Sequence, residues 1–75
     1  MVEKEVWVLM NPDNEHWDED YATDVVAKYS DYAEVRVEET NQTRDTGFGQ
    51  ERMYIVKGKE ENIKWFEEVL NEHLY

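Results

Sequence analysis

The sequence predicts an α+β fold with the order β-α-β-β-α: a three-stranded antiparallel sheet carrying two helices on one face. Three observations predict it. Val2–Met10 (VEKEVWVLM) is rich in β-branched residues and has the length of one strand. Two separate stretches repeat apolar side chains at steps of three and four, Trp17-Tyr21-Ala22-Val25-Val26-Tyr29 and Ile63-Phe66-Val69-Leu70-Leu74, which is the stripe of a helix lying on a core. Between them, two strand-like patterns are joined by a polar loop, as in a hairpin.

In the first strand Val2, Lys4, Val6, Val8 and Met10 point one way, and Glu3, Glu5, Trp7 and Leu9 the other. The first helix is expected over Asn11–Tyr29, with Asn11, Asp13 or Asn14 as its cap and Pro12 tolerated in its first turn. Ser30-Asp31 marks its stop. Tyr32–Thr40 then reads as a half-buried strand, with Ala33, Val35 and Val37 alternating against Glu34, Arg36 and Glu38. Asn41–Gly49 is read as a long polar turn and Gln50–Lys57 as the return strand. There Met53 and Ile55 are expected to face the core, and Arg52, Tyr54 and Val56 to face away. The last helix follows Gly58 and covers Lys59–Tyr75.

The simplest sheet places the third strand between the first and second, with the whole chain, residues 1–75, as a single domain. This order resembles the ferredoxin-like β-α-β-β-α-β fold without its last strand, a resemblance of topology that implies no particular function. It leaves the first strand as an edge, where free backbone groups invite pairing with a second copy or with a partner's strand. Trp7, Val8, Leu9 and Tyr54 are the candidate contacts at that edge and on the outer sheet face. Tyr32 and Val56 extend the expected outer patch.

Nineteen acids against eight bases give a net charge of −11. That balance opposes direct binding to nucleic acid or to an anionic membrane and favours a basic partner. Three tryptophans and five tyrosines supply the core material that acidic disordered chains lack. No cysteine is present, so neither a disulfide nor a thiol nucleophile is available. No apolar run approaches the ~18 residues of a membrane span, and the N-terminus does not begin as a signal peptide does, so a cytoplasmic location is expected.

The charge is uneven. Residues 11–31 hold seven carboxylates and one lysine, and residues 59–75 hold five carboxylates and two lysines. In the second helix Lys64 stands three or four positions from Glu60, Glu61, Glu67 and Glu68, the spacing of compensating pairs; the first helix offers only Asp24 and Lys28. Glu15, Asp18, Glu19, Asp20 and Asp24, extended by Glu61, Glu67, Glu68 and Glu72, are therefore the candidate partner-binding face. It would dock on a basic protein surface, in the concrete form of a nucleic-acid mimic occupying the groove of a nuclease or DNA-binding protein, as small inhibitors from phages or mobile elements do.

The alternative is a small homo-oligomeric adaptor, most simply a homodimer, acting through the first strand and the outer sheet face. A metal-dependent enzyme is the third class. His16 lies among Asp13, Glu15, Asp18, Glu19 and Asp20, but the segment lacks the oxygen spacing of a calcium loop and a second histidine at helical spacing. Thr46-Gly47-Phe48-Gly49 lacks the lysine of a phosphate loop and joins two strands instead of preceding a helix. His73 has no serine or cysteine nucleophile in view. No catalytic residue, cofactor or metal is expected.

Overall fold

The computed structural model describes residues 1–12, 19–47 and 49–74. The elements are β1 (Val2–Pro12), α1 (Glu19–Ala33), β2 (Arg36–Thr46), β3 (Gly49–Gly58) and α2 (Glu60–Leu74). They form a three-stranded antiparallel sheet in the order β1-β3-β2, with both helices packed on one face. The central position of β3 and the edge position of β1 are as expected.

Several boundaries differ from the sequence reading, each for a local reason. Asn11 and Pro12 extend β1, pairing with Gln50 and Gly49 beyond an irregularity at Met10, so neither belongs to the first helix. The proposed caps Asp13 and Asn14 lie outside the described residues. At its other end α1 runs past Ser30-Asp31. The Ser30 hydroxyl donates to the Ala27 carbonyl (2.9 Å), which satisfies it inside the helix and removes its reason to end one.

The helix stops instead at a Schellman arrangement. Val35 N–H donates to Ser30 O (3.1 Å) and Glu34 N–H to Asp31 O (3.2 Å), with Glu34 in the left-handed region at φ 58°. Tyr32 and Ala33 are thus helical, and β2 begins only at Arg36. It continues through Thr46, so most of the expected turn is strand. Asn41–Thr46 is polar because it lies on an edge strand with little core beneath it, and five of those six residues are exposed. Pairing with β3 supplies the order that hydrophobicity would otherwise supply.

Opposed residues on neighbouring strands share a face. Val6 opposes Tyr54, Lys4 opposes Val56, and Val37 opposes Val56, so Tyr54 and Val56 face the helices. Tyr54 and Val56 are 4% and 0% exposed, and both belong to the core cluster with Val6, Val8, Met10, Phe66 and Leu70. The expected facing of β3 is therefore reversed. Met53 and Ile55 occupy the outer face, Met53 buried and Ile55 half-buried. The period-two pattern of ERMYIVK is apolar on both faces over Met53–Val56, which removes the contrast that would have chosen between them. Gly58 is required by a close approach: a Cβ there would stand 2.9 Å from Val35 Cγ1.

Candidate interaction surface

α1 buries Ala22, Val25, Val26, Ser30 and Ala33, and α2 buries Ile63, Phe66, Val69, Leu70 and Leu74. Steps of three and four then turn Asp20, Asp24 and Asp31 to the opposite, exposed side of α1, and Glu61, Trp65, Glu68 and Glu72 to the exposed side of α2. Among the described residues none of these six carboxylates enters an ion pair.

Glu19 and Glu67 behave differently. Glu19 lies 3.3 Å from Arg52 Nη1, and Glu67 lies 2.9 Å from Lys4 Nζ on β1. Glu15 and Asp18 are outside the described residues. The expected compensation along α2 does not form: among the described residues Lys64 makes no ion pair, and Glu67 turns to the sheet instead. The Asp24/Lys28 pair is likewise absent, and the Lys28 ammonium lies 5.5 Å from the centroid of the Tyr29 ring. Both helices therefore expose uncompensated acid.

The cations of the sheet, by contrast, are largely engaged. Lys4 meets Glu67, Lys57 meets Glu3 (3.4 Å), Arg44 meets Glu51 (2.7 Å), and Arg52 meets both Glu19 and Glu39 (3.2 Å). The helices carry four acids against Lys28 and five against Lys64, a net of −3 and −4, while the three strands together sum to −1.

A seam of aromatic rings that the sequence reading missed joins the two helices. Tyr29 of α1 stacks on His73 of α2 (centroids 4.8 Å apart, planes at 23°) and meets Trp65 edge-on at 6.4 Å and Tyr32 at 5.7 Å. Tyr32, Trp65 and Tyr21 are exposed to 64%, 43% and 40%. The visible signal was Trp65 standing three or four positions from Glu61 and Glu68, which puts a tryptophan inside a carboxylate row.

The outer sheet face is not the open aromatic patch expected of it. Tyr54 and Val56 lie on the helix side, Tyr32 is on α1, and Leu9 is buried along with Val8. Trp7 remains, half-buried, with the Arg44 guanidinium 4.3 Å from its ring centroid. The same Arg44 holds the buried Glu51, so one cation both stacks on an indole and neutralises a carboxylate.

On the helix side a second polar group closes the end of the core. The Tyr54 hydroxyl donates to Glu39 Oε2 (3.0 Å), and Arg52 links Glu39 to Glu19 at the start of α1. Burial first, and then this hydrogen bond and the carboxylate charge, push the Tyr54 phenol up to about 12. Arg52 Nε is buried there without a hydrogen-bond partner, a cost of roughly 1–3 kcal/mol in such settings.

No group of metal-ligating side chains occurs among the described residues, and no described helix is long and apolar enough to cross a membrane. Comparison with protein-family models, with curated proteins and with solved structures returns no match.

Proposed function

We propose that this chain is a non-enzymatic acidic module that binds a basic protein surface through its helical layer, in competition with nucleic acid for that surface. The observation that carries the reading is the set of exposed, unpaired carboxylates on two adjacent helices, Asp20, Asp24 and Asp31 beside Glu61, Glu68 and Glu72. A chain needing acid only for solubility has no reason to spend its cations on the sheet and leave one layer bare. Within each row the carboxylates stand roughly 6 and 10 Å apart along the helix, from a rise of about 1.5 Å per residue. Those intervals match about two and three phosphate steps of a nucleic-acid strand. Exposed Trp65 and Tyr32 add the flat apolar area that anchors protein interfaces.

The test is a fourfold reversal, Asp20→Lys, Asp24→Lys, Glu68→Lys and Glu72→Lys, which leaves the ion-paired Glu19 and Glu67 untouched. Wild type and variant serve as paired baits in the native host, and the captured protein is then assayed for DNA binding with and without the chain. The expected result is competition with DNA by the wild type and a loss of about a hundredfold in affinity for the variant, since facing like charges cost several kcal/mol. A variant with an unchanged circular-dichroism spectrum and undiminished binding would remove this face from consideration.

A further inference from the structure

A groove runs along the free edge of β1, between that strand and α2. Two clefts lie end to end in it. The larger, about 770 Å³, touches Val2, Glu3 and Lys4; the smaller, about 270 Å³, touches Glu5, Val6, Trp7 and Val8. Consecutive side chains of a strand point to opposite faces. A space that meets every residue from Val2 to Val8 therefore follows the edge of the sheet and not either face. Glu67 and Asn71 of α2 line both clefts, which makes them neighbouring parts of one channel.

Its wall on the α2 side includes Ile63, Leu70 and Leu74, all buried and apolar. On the outer side Glu3 and Glu5 are exposed; Glu3 meets Lys57 at 3.4 Å, Glu5 enters no ion pair among the described residues, and Arg44 lines the smaller cleft beside Trp7. β1 pairs with β3 along one side only, and among the described residues no backbone hydrogen bond reaches its other side. Main-chain groups in that state are satisfied by water or by another strand.

We infer that this groove takes an extended segment of a partner chain as a fourth strand, pairing main chain to main chain with β1. The segment alternates apolar side chains, directed towards Ile63, Leu70 and Leu74, with lysine or arginine on the outer side, where Glu5 is the carboxylate without an ion pair among the described residues. Seven residues, about 23 Å at the usual rise per residue, span Val2–Val8. A second copy of β1 is the poorer occupant, because its outward-facing Glu3, Glu5 and Trp7 bring no cation to Glu5 and would set carboxylates beside it. The Lys4–Glu67 ion pair reaches from β1 to α2, but it is well exposed on the lysine side and gives way easily to an incoming strand. This inference uses the backbone of β1; of the two carboxylate rows, only Glu68 touches the groove.

The probe is a capped heptapeptide, Lys-Val-Lys-Val-Lys-Val-Lys, titrated into the isotopically labelled chain and followed by amide chemical shifts and hydrogen exchange. Two further peptides carry N-methyl groups on all the valines or on all the lysines. In an edge strand only alternate amides point at the neighbour, so one methylated peptide should lose binding by about tenfold or more, as expected for several lost hydrogen bonds, while the other binds as the parent does. Shifts and exchange protection should centre on Val2–Val8, and Glu3→Lys with Glu5→Lys should weaken the parent peptide. Equal binding by both methylated peptides, or shifts confined to Asp20, Asp24, Glu61 and Glu72, would overturn the inference. So would sedimentation of the chain alone as a dimer with protected β1 amides, which would assign the edge to a second copy.

Discussion

Tyr54 concentrates the chemistry of the core's polar end in one hydroxyl. Its ring belongs to the apolar cluster, and its oxygen donates to a carboxylate that Arg52 also holds. Because its phenol ionises near 12 when folded and near 10 when unfolded, the folded state keeps the proton that the unfolded state loses. The contribution is complete below pH 10 and fades as pH rises from about 10 to 12. Denaturant melts across that window should show falling stability in the wild type and a shallower fall in Tyr54→Phe. Identical slopes would mean that the hydroxyl does not carry the effect. Tyr54 is also where sequence pattern gave the wrong face. Arg52 beside it suggests solvent, but Arg52 is only half-buried on the helix side, tied by two carboxylates at the rim, so a charged neighbour did not mark the outer face.

At the level of elements, the number, type and order of strands and helices were legible, because the apolar stripes of α1 and α2, the valines of β1 and the Val35-Val37 alternation leading into β2 are periodic signals. The ends were not. α1 is closed by hydrogen bonds around Glu34, a residue that rarely adopts φ 58° and so gives no warning of a cap. Glu34→Gly should therefore stabilise the fold by about 1 kcal/mol, the usual penalty for an L-residue in this conformation, and raise the midpoint of urea unfolding. A lower midpoint would show that the glutamate side chain contributes more than its backbone costs. Likewise the polar half of β2 is a strand through its pairing with β3, a long-range cause that local composition cannot report. Of the candidate surface, the acid rows were visible in the spacing of Asp20, Asp24, Glu68 and Glu72. The aromatic seam was not, since it needs Tyr29 and His73 to meet across two helices.

For the whole molecule, size and charge act together. Its extents are 35 × 21 × 17 Å, and the screening length of water is about 30 Å at 0.01 M salt but about 10 Å at 0.1 M. In dilute buffer nearly every carboxylate feels every other, and a net charge of −11 opposes the compact state. The melting temperature should rise as sodium chloride goes from 10 to 300 mM, by about 4–8 °C for each kcal/mol of repulsion relieved in a domain of this size. A fall would indicate that the ion pairs of Lys4, Lys57, Arg44 and Arg52 outweigh the repulsion among uncompensated acids.

The unequal layers have a further consequence. With −7 on the helices and −1 on the strands, the centre of negative charge is displaced from the centre of mass along the sheet normal. The described elements therefore make an electric dipole. In the field of a positively charged surface they feel a torque that turns the helices forward before any side chain touches. For the basic partner proposed above, such pre-alignment would speed encounter, and it would weaken steeply as ionic strength rises.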